Sequence, residues 1–189
     1  MINIGLIGED PNDTSSIKNL LDSEYKHKAK FIPLAKNIKG HQLDNPKLKK
    51  VLKIEYGEKR CKYVIFIRDL DGFESQKSKV KLRQDWFNDL NKIVDGKGLL
   101  LLNIWELEAL ILSDIKTFNE IYGIDYKFSK NPSLQKDPKE LLMQITSKSN
   151  KKFKESHCPE IFRQLRSDEI KKKCKKFNDF IVELESKIK

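Results

Sequence analysis

The chain has little that would support redox, disulfide or zinc chemistry. Its three cysteines, Cys61, Cys158 and Cys174, are odd in number and form no CxxC, so no disulfide framework is expected and a reducing cytoplasm fits best. Its three histidines, His27, His41 and His157, are scattered. The adjacent pair His157-Cys158 is too small a ligand set for zinc, and the histidines give no basis for a Ser-His or Cys-His nucleophile. A GxxxxGK[ST] loop is missing, which excludes ATP hydrolysis by that route. Gly5-Leu6-Ile7-Gly8 has no third glycine where a dinucleotide-binding turn needs one. No apolar run approaches the ~20 residues that span a bilayer, and residues 99–104 are greasy only over the length of a strand. The opening Ile2-Asn3-Ile4-Gly5-Leu6-Ile7 is strand-like, without a basic region or a small-residue cleavage site, so no secretory signal is expected.

What is abundant is charge. Lys and Arg number 38 against 28 Asp and Glu, giving a net charge of +10 in 189 residues. Such a balance favours an anionic partner, nucleic acid before a membrane surface. Lysine greatly outnumbers arginine, so a generally lysine-rich composition competes with that explanation.

Strand-like and helix-like segments alternate. Strands are expected at 2–8, 29–35, 63–67 and 99–104. Helices are expected at the segment opened by Asn12-Asp13-Thr14-Ser15-Ser16, at 46–54, at 77–94 and at 105–122. That order argues for a parallel sheet covered on both faces. From 123 onward no strong strand is legible. Residues 141–145 and 159–165 read as helical. Ile170, Cys174, Phe177, Phe180, Ile181 and Leu184 keep an apolar helical stripe through a lysine-rich tail. The expected organisation is an α/β core over 1–122 and a helical region over 123–189 packed on it.

The most informative stretch is Tyr63-Val64-Ile65-Phe66-Ile67-Arg68-Asp69-Leu70-Asp71-Gly72, an apolar run that ends in two carboxylates. It reads as a buried parallel strand with acid at its C-terminal end, where open α/β sheets place their chemistry. Asp and Gly are also ordinary turn residues, but two further strand ends carry acid. One is Gly8-Glu9-Asp10-Pro11-Asn12-Asp13. The other is Glu106-Leu107-Glu108, with Asp114 further on. In a parallel sheet all three lie on one edge. Carboxylates clustered without His or Cys select Mg²⁺ or Mn²⁺ over Zn²⁺, and two such ions suit phosphodiester hydrolysis. Taken singly, these acids also suit a helix cap or the first turn of a helix.

The ordered set resembles the TOPRIM domain, which has a glutamate after its first strand and an Asp-x-Asp at the end of a later one. Here these are Glu9 and Asp69/Asp71. The likeness is closest to the TOPRIM half of the overcoming-lysogenization-defect nucleases and to small stand-alone TOPRIM-like bacterial proteins. Glu9-Asp10-Pro11-Asn12-Asp13 is similar to their Glu-Gly-Pro-Thr-Asp/Glu opening, with Asp10 in place of glycine. Residues 103–114 are similar to their Glu-x-Glu-Ala-Trp segment, with Leu110 in place of tryptophan. Asp137-Pro138-Lys139-Glu140-Leu141-Leu142 and residues 156–177 extend the likeness over most of the chain.

The resemblance implies a TOPRIM-like parallel sheet with a helical C-terminal extension. It also implies a nuclease dependent on Mg²⁺ or Mn²⁺, two ions being expected, often beside an ATPase partner in anti-phage defence. Metal ligands would be Glu9, Asp13, Asp69, Asp71, Glu106 and Glu108. Glu9 would double as general base, and Lys139 would be a transition-state cation or simply an exposed helix lysine. Phosphates would be held by Lys148, Lys151, Lys152 and Lys154 and by Lys171, Lys172 and Lys173. A non-catalytic module binding nucleic acid or a partner protein, and a nuclease acting on tRNA or other RNA, stay open as alternatives.

Overall fold

A computed structural model of the protein describes residues 1–36 and 40–189, His41 by its backbone alone. The chain runs β1 (Ile2–Ile7), α1 (Pro11–Tyr25), β2 (Ala29–Pro33), a 3-10 turn at Gly40–Asp44, α2 (Pro46–Glu58), β3 (Cys61–Asp69), α3 (Lys77–Asn91) and β4 (Gly98–Asn103). It continues through α4 (Ala109–Ser113), α5 (Ile115–Tyr122), α6 (Pro138–Ile145), α7 (Cys158–Gln164), α8 (Ser167–Lys173) and α9 (Lys175–Lys187). The four strands form one sheet in the order β2-β1-β3-β4, every pair parallel. This is the α/β architecture expected from the alternating segments. Among the described residues no helix is long and apolar enough to cross a membrane.

Side chains of β3 alternate between two cores, as the two-residue period of a strand demands. Val64 and Phe66 pack with Leu48 and Leu52 of α2 and with Leu90 and Val94. Ile65 and Ile67 pack with Ile17, Leu20 and Leu21 of α1 and with the C-terminal helices. That second cluster runs from Ile4 to Ile188, so the helices after 122 complete the main core. Full burial of such side chains is worth about 1.5–3 kcal/mol each.

Three local expectations change. The helix expected over 105–122 begins only at Ala109 and breaks at Asp114. Trp105 has φ 63°, which no helix admits. Asp114 takes φ −116° and ψ 52°, and its carboxylate bonds to Arg166 and Thr117. The C-terminal helix is likewise two helices, broken at Cys174 with ψ 95°. This break lets α8 lie against α4 while α9 packs on β4. The cap of α1 is Asp10, not the Asn12–Ser16 run. Its side chain accepts from Asn12 N at 2.8 Å, and Asp13 Oδ2 accepts from Asp10 N at 3.0 Å, closing a capping box.

Candidate active site

Because all four strands run the same way, their C-terminal ends open on one edge. A crevice of about 620 Å³ lies there. Eight carboxylates line it: Glu9, Asp10, Asp13, Asp69, Asp71, Glu106, Glu108 and Glu155. Among the described residues Lys139 is the one basic side chain in its wall, beside Gly40 and Gln42. The six acids expected to act as metal ligands thus share one cavity, joined by Asp10 and Glu155.

The acids arrive from the end of β3, from the segments that follow β1, β3 and β4 and, for Glu155, from the stretch before α7. Asp13 sits in the first turn of α1, directly after β1. Asp69 ends β3. Its backbone register with Asn103 of β4 brings Asn103 Nδ2 to donate to Asp69 Oδ1 at 2.9 Å. Backbone pairing continues beyond the strands, with Asp71 N donating to Trp105 O at 3.1 Å and Trp105 N to Gly72 O at 3.2 Å. This bridge fixes the loops after β3 and β4 together. Asp71 and Trp105 both adopt positive φ, 53° and 63°; a bulky residue there stores strain of order 1–3 kcal/mol.

The inner acids repel one another. Burial, then repulsion by Glu108, Asp10 and Glu9, pushes Asp13 up to about 7 against the bond it accepts from Asp10. Burial likewise pushes Glu108, 5% exposed, up to about 7, with Glu106 and Glu155 adding to the effect. Asp69 is raised well above the usual carboxylate range, first by burial and then by Asp13, although the Asn103 bond favours its charge. These acids hold their protons more tightly than ordinary carboxyl groups, and a cation among them would favour their ionised form.

The outer acids already have cations. Arg68 Nε lies 2.7 Å from Glu9 Oε1. Arg83 donates to Asp71 Oδ2 at 2.6 Å and to the Asp69 carbonyl at 2.9 Å. Lys139 stands 3.8 Å from Glu106 and 3.7 Å from Glu155, while its backbone N–H donates to Glu106 Oε2 at 3.3 Å. Burial works against the Lys139 charge, but Glu106, Glu108 and Glu155 outweigh it and raise its pKa. Asp114 does not reach the crevice. Burial opposes its charge, yet bonds from Arg166 and Thr117 hold its pKa low, and it ties α5 to the α7–α8 connection.

The donor set fits a hard divalent cation in chemistry: carboxylates, with no His or Cys in the wall among the described residues. Asn103 Oδ1 and Glu9 Oε1 are buried without hydrogen-bond partners, the latter in its ion pair with Arg68. As the side chains stand, no three His, Cys, Asp or Glu among the described residues converge on one ion-sized point.

The lysines divide. Those at 148–154 lie on the loop leading into Glu155. Phe153 anchors this loop in the core, its N–H donating to Thr146 Oγ1 at 2.9 Å, and Lys151 lies 5.0 Å from the Tyr122 ring centre. Lys148, Lys152 and Lys154 are exposed beside it. Lys171 pairs with Asp168 at 2.7 Å and with Glu24 at 3.5 Å. Glu24 lies about three turns along α1 from Asp13, ~16 Å by helix rise. Lys172 pairs with Glu169 at 2.8 Å, and Lys173 donates to the Ser113 carbonyl at 2.7 Å. The basic run on α8 is therefore engaged, Lys171 and Lys172 by ion pairs and Lys173 by a carbonyl, and lies outside the crevice wall.

Sequence reasoning passed over Arg68, Arg83, Asn103 and Glu155. Arg68 carried a signal: a cation within an apolar strand, next to the Asp-x-Asp, needs a buried acid.

No curated protein and no solved structure matches the chain. A family profile described as a domain of unknown function, DUF4276, matches residues 8–185. With nearly its whole length matched, from just after β1 to the last turns of α9 and with every acid of the crevice included, the chain belongs to the DUF4276 family.

Proposed function

We propose that the protein is a nuclease dependent on Mg²⁺ or Mn²⁺, hydrolysing phosphodiester bonds of nucleic acid at the strand-end crevice. The observation that carries this reading is the gathering of eight carboxylates and one lysine, Lys139, in one cavity at the C-terminal edge of a parallel sheet. When bound, Mg²⁺ or Mn²⁺ supplies Lewis acidity for water attack and neutralises charge building on the phosphodiester. Asp13, Asp69 and Glu108 are the residues to hold it, with Asp71, Glu106 and Glu9 within the same wall. Lys139, steadied by Glu106 and Glu155, faces the phosphate. Lys148, Lys151, Lys152 and Lys154 draw the flanking backbone toward the crevice, which by its own charge repels nucleic acid until a cation binds. An ATPase partner in anti-phage defence belongs to the same proposal and rests on the TOPRIM resemblance.

A second reading, a non-catalytic module binding nucleic acid or a partner protein, draws on the engagement of Glu9 by Arg68 and Asp71 by Arg83. Cleavage separates the two. Purified protein with Mn²⁺ is incubated with supercoiled DNA, single-stranded DNA and tRNA, beside Asp69→Ala. Cleavage of one substrate by the wild type alone supports the nuclease and identifies the nucleic acid. Equal products from both proteins would sink it.

A further inference from the structure

Among the described residues Arg68 is the only buried basic side chain, 4% exposed. Its setting follows from strand register. Ile7 of β1 pairs with Phe66 of β3 in parallel, so two residues further on Glu9 and Arg68 stand opposite each other. Both fall on the face that carries Val64 and Phe66, while Asp69 falls on the other face. Arg68 Nε lies 2.7 Å from Glu9 Oε1, Nη2 lies 3.3 Å from Asp44 Oδ2, and the guanidinium lies 4.9 Å from the Trp86 ring centre. The approach to Glu9 is close but misaligned for hydrogen bonding. Arg68 Nε and Nη1 and Glu9 Oε1 are all buried without a hydrogen-bond partner. A buried ion pair is durable when hydrogen bonds satisfy both partners. Here Arg68 is buried but the Glu9 side chain is 28% exposed and joined to it by charge alone, which leaves Glu9 exchangeable for a stronger cation.

We propose that Arg68 is a latch on Glu9: it holds that carboxylate apart from Asp13, Asp69 and Glu108 in the metal-free protein and yields it when a divalent cation enters the crevice. The inference rests on the metal-dependent reading above. Arg68 is thereby a positioning residue that sets how much cation the site needs, and the exchange couples occupancy to the Gly40–Asp44 turn through Asp44. That turn is already tied to the same place, since Gly40 N donates to the Glu9 carbonyl at 2.7 Å.

Calorimetric titration with Mn²⁺ tests the latch on wild type, Arg68→Met, Arg68→Lys and the double variant Arg68→Met/Glu9→Gln. Freed of its competitor, Glu9 is expected to bind Mn²⁺ about tenfold more tightly in Arg68→Met. Arg68→Lys is expected to fall in between, and the gain to vanish in the double variant. Structural damage would weaken binding, so a gain is not its imitation. Unchanged or weaker binding in folded variants overturns the latch. If the variants fail to fold, the wild type still decides: the Arg68 Nε–H resonance should shift on titration with Mg²⁺, and an unmoved resonance at saturation overturns the proposal. Wild type that binds Mn²⁺ with no gain in the variants removes the latch alone. Absence of binding in every form removes the metal-dependent reading, and the latch with it.

Discussion

Asn103 donates its side-chain amide to Asp69 Oδ1 at 2.9 Å, from the residue in register on the neighbouring strand. The bond favours the ionised form of a carboxyl group that burial and Asp13 drive the other way. Asn103→Ala should raise the Asp69 pKa further. Hydrogen bonds to charged groups contribute ~1.5–3 kcal/mol, so Mn²⁺ binding should weaken by about tenfold or more at neutral pH. The deficit should narrow as pH rises and Asp69 ionises. Calorimetry at two pH values reads both effects, and equal affinities would show that Asp69 takes no part.

The raised carboxyl groups make a pH prediction with a definite sign. Asp13 and Glu108 are pushed from their ordinary values, 3.8 and 4.5, up to about 7 in the fold. Between those limits the folded protein binds more protons than the unfolded chain. Stability without metal is therefore greatest below about pH 4 from this source and is lost as pH rises through about 7. Thermal unfolding in EDTA should show a midpoint lower at pH 8 than at pH 5.5 by on the order of 5 °C, and Mg²⁺ should restore most of it. A midpoint that rises between those pH values would contradict the crowding of these acids.

Asp114 is a structural acid. Its side chain is fully buried and accepts from Arg166 N at 2.9 Å, Arg166 Nε at 3.0 Å and Thr117 Oγ1 at 2.8 Å. Asp114→Ala leaves these donors unmatched and should cost about 3 kcal/mol in urea unfolding. Mn²⁺ affinity of the folded variant should stay within twofold. A large loss of affinity in a folded Asp114→Ala protein would place this residue in the site after all.

The two lysine groups should behave differently toward nucleic acid. Charge reversal of Lys151, Lys152 and Lys154 beside the crevice should weaken binding more than tenfold at low salt and flatten its salt dependence by about one unit per lost phosphate contact. Reversal of Lys171 and Lys172, which pair with Asp168, Glu24 and Glu169, should change it little. Fluorescence anisotropy across a salt series separates the groups, and an equal effect would mean that the bound strand follows α8.

The sheet was legible because its signals are local. Apolar runs of strand length, divided by helical spacing, force parallel connections, and a parallel sheet puts its acid-bearing ends on one edge. Glu9, Asp13, Asp69, Asp71, Glu106 and Glu108 could thus be gathered on paper and do line one crevice. The break at Asp114 was not legible, because the bond that makes it comes from Arg166, 52 residues away. Nor was the capping role of Asp10, whose side chain closes the first turn of α1.

What the sequence determined alone is the class of fold and the set of carboxylates at the strand ends, since both follow from the periods of strand and helix. Only the tertiary structure decided how those carboxylates are divided. Asp13, Asp69 and Glu108 are crowded acids in no ion pair among the described residues, whereas Glu9 and Asp71 are held by Arg68 and Arg83. The physical reason is that a charge takes its state from whichever groups packing brings within a few ångströms, and distance along the chain does not reveal them.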